Sequence, residues 1–287
     1  MIHLPDRAIL RLSGEDARSW FANLVTCDIA HLEPGRGRWG ALLTPQGKIL
    51  FDFLATIGED GLYLDTDADV APDLAKRLNF YRLRAKVTVE TLSPAWGVYV
   101  ALPSEEVNIE GLPIEGALAF PDPRRPELGL RIYAPVAAGA DDTATAAYHA
   151  RRIELGIPEG GKDFRFGDAF PHEVLMDMLA GVDFKKGCFV GQEVVSRMQH
   201  RGTARTRIVP VTTSAPLPPA GTEIRIGDRP AGTLGSSAGT RGLALLRLDR
   251  VEDGLAAGEI LAAEGVALAV DKPSWWIGPS ETHKAMA

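Results

Sequence analysis

The pattern of hydrophobic and polar positions differs between two parts of the chain. Before residue 206, apolar runs typical of strands are interspersed with helical patterns, whereas later runs are short and lie between glycine-rich turns. The pattern before residue 206 predicts a mixed α and β region, and the later pattern predicts a small antiparallel barrel or sandwich. The predicted strands are residues 8–12, 42–43, 49–57, 62–64, 86–90, 97–102, 128–133, 223–226, 231–235, 243–248 and 266–270.

Helical periodicity and capping residues predict the helices. Ser13 can cap a first helix, and Asp67 or Asp69 can cap a second, because short polar side chains bond the free N–H groups of a first turn. Gly156 is a suitable end for the third helix. The predicted helices after the first are residues 72–80, 145–155, 171–179 and 191–200.

Composition and charge narrow the class of protein. The chain has 287 residues, of which 45% are hydrophobic, and its net charge is −7. This acidic balance argues against broad binding to nucleic acid or anionic membranes, so we expect no direct RNA binding. The first residues lack a signal-peptide pattern, no apolar run reaches the roughly 18 residues of a membrane span, and Cys27 and Cys188 suggest no disulfide framework. We therefore expect a cytoplasmic protein without a membrane segment.

The segment 185–193, KKGCFVGQE, concentrates features that favour a reactive thiol. Cys188 follows Lys185 and Lys186 and lies between two glycines, just before a predicted helix start. Adjacent cations and a helix N-terminus can lower a cysteine pKa from ~8.5 to ~3.5–7.5. Cys188 is therefore a candidate nucleophile, redox-sensitive thiol or soft metal ligand, and the alternative is a small buried residue in a glycine turn.

Completing a catalytic or metal site around Cys188 would need further groups. His172 and His200 are candidate bases by residue type, although the sequence does not place either beside the thiol. No second cysteine or paired histidine spacing lies nearby, so the sequence predicts no complete metal site.

Two carboxylates occur in apolar or otherwise unfavourable settings. Asp52 lies in a predicted strand, where it shares a face with Leu50 and Leu54, and an acid on an apolar face needs a partner or borders a cavity. Glu154 lies near a helix C-terminus, where the helix dipole disfavours acids. The alternative for both is an ordinary ion pair or a solvent-facing carboxylate.

The helix that follows Cys188 is a candidate anion site. Gly191, Gln192 and Glu193 stand at its start, where free N–H groups bind anions, although a well-capped helix explains them equally well. Arg197 belongs to the densest basic run, which suits an oligoglutamate tail or an RNA backbone, or is simply a solvated face. The other members of this run are His200, Arg201, Arg205 and Arg207.

The cysteine segment carries a family resemblance. The sequence KGCFVGQE at residues 186–193, followed by Arg197, resembles the signature of YgfZ-type folate-binding proteins, which are related to the aminomethyltransferase (T-protein) of the glycine cleavage system. Further segments resemble motifs of the same family in the same order, and together they cover nearly the whole chain. These segments are residues 21–28, 43–49, 81–87, 152–158 and 170–173.

This resemblance implies a fold and a domain organisation. The fold would be α+β, an aminomethyltransferase-like folate-binding cloverleaf of two α+β lobes plus a C-terminal antiparallel β-barrel. Residues 1–205 would form the folate-binding region, with interleaved lobes of which the second spans roughly residues 90–150. Residues 206–287 would form the barrel domain.

The resemblance also implies a function. The ligand would be tetrahydrofolate, and the protein would assist the assembly or maintenance of iron–sulfur clusters in client enzymes, including tRNA-modifying ones, in contact with cluster assembly proteins. Asp52 and Glu154 match acids that contact the folate, and Gly191, Gln192, Glu193 and Arg197 would complete the binding site. Cys188 would act with Lys186 holding it as thiolate.

A folate-dependent aminomethyl or one-carbon transferase is the alternative function. The chain departs from true aminomethyltransferases because the KGC signature replaces a stretch without cysteine in that branch. Whether a reaction is catalysed at all, and which role the thiol has, stay open at this stage.

Overall fold

The computed structural model describes residues 1–103, 116–136, 144–202 and 204–276. The chain forms two compact units. The first unit contains Met1–Tyr148 and Leu179–Gln192, and the second contains His149–Met178 and Glu193–Ala287. The sequence Asp141-Asp142-Thr143, which is suited to begin the predicted helix 145–155, lies outside the described residues.

An antiparallel five-stranded sheet organises the first unit. Its strand order is β3-β4-β5-β2-β6. Strands β4 and β5 are joined by a tight hairpin, in which Gly58 pairs with Gly61. The strands are β2 (Arg7–Ser13), β3 (Gly37–Leu43), β4 (Ile49–Gly58), β5 (Gly61–Asp67) and β6 (Thr88–Thr91).

One face of this sheet packs against two helices, α1 (Ala17–Ala22) and α2 (Ala71–Arg82). Side chains alternate between the faces of a strand, and the inward set is apolar, as in Phe53 of β4, whose ring lies 5.3 Å from that of Phe21 in α1. The burial of these side chains is the main stabilising contribution to the unit.

The first unit also contains a four-stranded antiparallel sheet with the order β1-β7-β9-β8. Asp65 of the larger sheet is fully buried between Arg7 Nε and Arg131 Nε, each 2.6 Å from one of its oxygens. Pairing with two guanidinium groups offsets the free-energy cost of burying the carboxylate charge. The strands are β1 (Ile2–Leu4), β7 (Trp96–Ala101), β8 (Leu118–Pro121) and β9 (Leu130–Pro135), and a short 3-10 turn spans Pro126–Leu128.

The second unit contains a seven-stranded antiparallel sheet with the order β15-β14-β11-β12-β13-β10-β16. The two edge strands, β15 (Val266–Ala267) and β16 (Ala269–Val270), are separated in sequence by Leu268 alone, so the sheet curls until its edges meet. The sheet is therefore a near-closed barrel. The remaining strands are β10 (Thr206–Thr212), β11 (Glu223–Ile226), β12 (Arg229–Ala238), β13 (Arg241–Arg247) and β14 (Leu261–Ala263).

Three further helices complete the secondary structure of the described residues. Helix α3 (Thr145–Glu154) ends before Gly156, whose φ of +74° is the left-handed conformation expected for a glycine that terminates a helix. Helix α4 (Gln192–Arg201) matches the predicted segment. Helix α5 (Leu248–Ala256), between the barrel strands, was not predicted.

Three local predictions are wrong. Residues 171–179 form turns, because the carbonyl of Glu173 accepts a hydrogen bond from Ile208 N of β10 instead of joining a helical ladder. Ser13 ends β2 rather than capping α1, which begins at Ala17. Neither Asp67 nor Asp69 caps α2; its cap position is Val70, without a side-chain hydrogen bond.

Candidate functional site

The loop of residues 183–191, called here the cysteine loop, is tied to the first unit at its start. Asp183 N donates to Thr26 O at 2.9 Å, and its carboxylate accepts the N–H groups of Lys185 (2.7 Å) and Lys186 (3.1 Å). Just before the loop, the hydroxyl of Thr26 donates to Gly181 O at 2.7 Å. This turn therefore fixes the backbone that leads to Cys188.

Lys186 fastens the loop a second time. Its ammonium donates to Ala22 O at 2.6 Å and to Val25 O at 2.5 Å, and therefore supplies a cation to the C-terminal end of α1. Partial burial lowers the pKa of Lys186, although nearby Cys27 and acidic groups oppose this shift. These contacts direct the ammonium toward α1, and the action predicted for Lys186 on the Cys188 thiol stays a prediction.

Gly191 holds the other end of the cysteine loop. Its φ is +79°, and a Cβ at this position would lie 2.5 Å from Thr44 O and 3.0 Å from Gly47 Cα. Only glycine allows so close an approach to the turn between β3 and β4. In contrast, a Cβ on Gly187 would meet no described atom within 4 Å. The chain is therefore tightly packed at Gly191 and open beside Cys188.

The two cysteines have opposite environments. Cys188 is exposed, whereas Cys27 is buried, and burial raises the pKa of the Cys27 thiol to about 12. Phe189 is buried directly after Cys188, and its ring centroid lies 5.3 Å from Lys186 Nζ. The loop therefore presents one thiol to solvent, between the half-buried Lys186 and the buried Phe189. The alternative prediction of a buried packing residue at 188 is wrong.

The residues predicted at the start of α4 follow the cysteine loop directly. Gln192 is half-buried, and its N–H donates to Phe189 O at 3.3 Å. Glu193 lies in the first turn of α4, and both Glu193 and Arg197 are exposed. Gly191 and Gln192 belong to the first unit, and Glu193 and Arg197 belong to the second. Their binding of folate stays a prediction.

Asp52 lies within the five-stranded sheet, where it pairs with Ala41 of β3 and is 3% exposed. Its neighbours Phe51 and Phe53 face the helices, so Asp52 faces the opposite side of the sheet. Trp39 Nε1 donates to Asp52 Oδ2 at 3.1 Å. The alternative prediction of a solvent-facing carboxylate at position 52 is therefore wrong. Asp52 is a buried carboxylate that accepts a hydrogen bond from an indole ring.

Glu154 is the last residue of α3 and belongs to the second unit. Its side chain is 54% exposed and lies 2.7 Å from Arg151 Nη1, so it forms an ordinary surface ion pair. Its neighbour Arg152 is fully buried and donates to Asp163 and Ser236, at 2.7 Å in each case. This buried cluster was not predicted, because no local signal in the sequence marks the partners of Arg152.

The two candidate bases also differ. His172 is buried in the second unit, with Nε2 2.9 Å from Gln199 Oε1, and burial lowers its pKa. His200 is exposed near the end of α4. His172 therefore belongs to the packed interior of its unit.

A second buried polar network, in the first unit, was also missed. Tyr148 Oη accepts hydrogen bonds from Arg131 at 2.9 Å and from Arg124 at 3.0 Å, and Arg124 in turn pairs with Asp122 at 2.7 Å. Burial opposes ionisation of Asp122, but the adjacent Arg124 guanidinium outweighs it and lowers the pKa of this carboxyl.

Comparison with solved structures identifies the fold. The chain is similar to the glycine cleavage system aminomethyltransferase T from Bartonella henselae, with a TM-score of 0.73, 17% sequence identity, and coverage of 96% of this chain and 85% of that one. Residues 205–277 match the family model described as the CAF17 C-terminal β-barrel domain. The predicted aminomethyltransferase-like α+β fold with a C-terminal antiparallel barrel is confirmed.

Comparison with curated proteins gives closer relatives. The chain is 31% identical over an alignment of 303 positions to the human iron–sulfur cluster assembly factor IBA57, mitochondrial, covering 95% of this chain and 84% of the relative. The mouse protein of that name gives 31% identity with the same coverage. The Neurospora crassa homologue is 34% identical over 229 residues, and the aligned part spans 72% of this chain and about half, 52%, of that relative.

These relatives correct one expectation and sharpen another. The cytoplasmic location expected from the sequence is wrong by this comparison, since the relatives are mitochondrial proteins. In the described part of the chain, no helix is long and apolar enough to span a membrane. The YgfZ-type resemblance was a coarser match than the one found here. The chain belongs to the IBA57 family of iron–sulfur cluster assembly factors.

Proposed function

We propose that this protein is an accessory factor in the assembly or maintenance of iron–sulfur clusters in client enzymes, and that it acts through the Cys188 thiol. The observation that carries the proposal is the exposure of Cys188 on a loop that is anchored at both ends. The names of the curated relatives support the same role.

The number of available thiols limits how many cluster ligands the protein can supply. Cysteine thiolates hold iron–sulfur clusters, with about four for one cluster. The chain has two cysteines, and the buried Cys27 has a pKa of about 12, so it is a poor thiolate at neutral pH. A single exposed thiol supplies one thiolate, so further thiolates must come from another molecule. The chemistry therefore favours transient contact with a cluster that a partner also holds.

The anchoring of the cysteine loop suits such a contact. A ligand held in place before binding loses less conformational entropy when the complex forms. Lys186 and Gly191 fix the backbone on either side of Cys188, and the open space beside Gly187 leaves room for a partner. The loop therefore presents the thiol without requiring a large rearrangement.

Tetrahydrofolate is the proposed ligand. A carboxylate accepts two parallel hydrogen bonds from the amidine-like edge of a pterin, and Asp52 offers this acceptor beside the Trp39 indole, so its chemistry fits that of the ligand. Glu154 is the second proposed acid, and its exposed ion pair leaves it open to a ligand. The proposed contacts for the glutamate tail of the folate lie at the start of α4 and are Gly191, Gln192, Glu193 and Arg197.

The folate proposal is tested by titration calorimetry with tetrahydrofolate. We expect saturable binding by the wild type and an affinity about tenfold or more lower for Asp52→Asn, because one charge-assisted pair is weakened. The same samples, given a one-carbon donor, test the alternative transferase function, for which the likeness to the aminomethyltransferase is the supporting observation. A folded protein that takes up no tetrahydrofolate refutes the ligand.

The cluster function is tested by complementation of cells that lack this protein. Wild-type protein and Cys27→Ala should restore the activity of iron–sulfur clients, including a tRNA-modifying enzyme, whereas Cys188→Ser should not. Because Cys188 is exposed, its serine variant should unfold at the same temperature as the wild type. Full restoration by Cys188→Ser would remove the thiol from the proposed function.

A further inference from the structure

The C-terminal end of α2 exposes two large apolar side chains. Phe80 is 72% exposed and Leu83 is 88% exposed, although the opposite side of the helix buries Leu74 and Leu78. We call Phe80 and Leu83 the α2 knob. Single exposed leucines are ordinary, but two large apolar side chains one turn apart form a contact surface.

The backbone at Leu83 adds a second observation. Ala85 N donates to Arg82 O at 2.8 Å, so Leu83 takes the second position of this turn, with φ 47° and ψ −105°. This is the conformation of a type II′ turn, which glycine adopts without strain and other residues rarely do. Glycine would serve the fold better, and the leucine side chain is not used in the core. We conclude that Leu83 is suited to a contact outside the chain.

The surroundings of the knob are strongly basic. Residues 74–89 contain five cations and no acid, although the whole chain carries a net charge of −7. Lys86 pairs with Glu15, and Arg82 donates to Val87 O. Within the described part of the chain, the exposed side chains of Lys76, Arg77 and Arg84 form no ion pair. These three cations are therefore available to an acidic partner.

A groove beside the knob offers room for side chains of that partner. It has a volume of about 480 Å³ and is lined by residues 82–88, which include Leu83, Arg84 and Lys86, and by Gly14 and Glu15. The surface therefore combines a protruding apolar contact, a basic rim and an adjacent concavity. Apolar anchors surrounded by polar groups are typical of protein interfaces.

We infer that the α2 knob is a docking surface for an acidic protein that presents an apolar pocket to Phe80 and Leu83. RNA fits less well, because Phe80 is the one exposed ring of the knob, Leu83 has no stacking face, and Arg77 lies over the Tyr81 ring, 5.9 Å from its centroid. A second copy of this chain would bind head to tail through two different surfaces and would tend to form open assemblies. The inference does not depend on a cluster or on Cys188.

A photo-cross-linking experiment followed by titration tests this inference. A benzophenone amino acid replaces Leu83 in the full chain, produced in the cells from which it comes, and the control carries it at Leu255, which is 49% exposed in the second unit. The protein cross-linked at position 83 is identified by mass spectrometry and then produced in pure form. Its affinity for the wild type and for variants is measured by calorimetry.

We expect an acidic protein that is cross-linked from position 83 and not from 255. Leu83→Asp and Arg84→Glu should each weaken its binding about tenfold or more, whereas the matched charge reversal Arg165→Glu, at another exposed arginine, should not. Cys188→Ser should bind as the wild type does, which separates this test from that of the cluster function. An adduct with RNA, with a second copy or with a basic protein, or no adduct, would overturn the inference.

Discussion

Alanine at Gly191 should destabilise the protein strongly, whereas alanine at Gly187, four residues earlier, should not. The positive φ of Gly191, +79°, costs an L residue about 1–2 kcal/mol. In addition, its Cβ would lie 2.5 Å from Thr44 O, and moving the packed backbone apart costs roughly 1–3 kcal/mol. The expected loss is therefore about 2–5 kcal/mol, out of the ~5–15 kcal/mol typical of a domain.

Gly187→Ala is the matched control for this change. Its new Cβ meets no described atom within 4 Å, and its φ does not lie in the left-handed region. Such a change leaves stability unaltered or raises it by about 0.4–1 kcal/mol, because the unfolded chain loses freedom.

Urea unfolding of both variants, followed by tryptophan fluorescence, measures the difference, and alkylation of Cys188 reports the loop itself. Gly191→Ala should lower the midpoint and alter the alkylation rate, because one anchor of the loop is displaced. Equal stability of the two variants would refute the argument that close packing at Gly191 holds the cysteine loop.

Three further predictions concern charges and thiols in each unit. Lys186→Met should cost about 1–3 kcal/mol in urea unfolding, because two carbonyls lose a charged donor, whereas exposed Lys185→Met should stay within about 0.5 kcal/mol. Burial raises the pKa of the Cys27 thiol to about 12. The free energy of unfolding should therefore fall between about pH 9 and pH 12, by up to ~1.4 kcal/mol per pH unit, because only the unfolded chain loses this proton there. Cys27→Ala should lack this contribution. Asp163→Asn should cost about 3–5 kcal/mol in the same assay, since Arg152 stays buried with a weakened partner, and a smaller loss would contradict its assigned role.

Local patterns in the sequence located much of the fold and the central residue of the site. Strand β4 follows directly from a long apolar run, and β11 follows from alternating apolar positions. Cys188 stood out because cations and glycines flank it, and the structure exposes it. Periodicity predicted a mixed α and β region followed by a small antiparallel barrel or sandwich, and the family resemblance supplied the aminomethyltransferase-like fold within that class.

Contacts between distant parts of the chain could not be predicted in this way. The carbonyls that hold Lys186 lie 164 and 161 positions away in the sequence, and Asp65 meets Arg131 66 positions later. The failure of the predicted helix at 171–179 has the same origin, since Glu173 O bonds with a barrel strand. Local propensity is overridden wherever a distant partner takes the backbone hydrogen bond.

The iron and sulfide content of a purified client enzyme tests the central claim most directly. The client is isolated from cells whose own copy of this protein is replaced by the wild type, Cys188→Ser or Cys27→Ala. We predict a full cluster complement with the wild type and with Cys27→Ala, and a depleted one with Cys188→Ser. A client that is fully loaded in the presence of Cys188→Ser would contradict the claim that this exposed thiol serves cluster assembly.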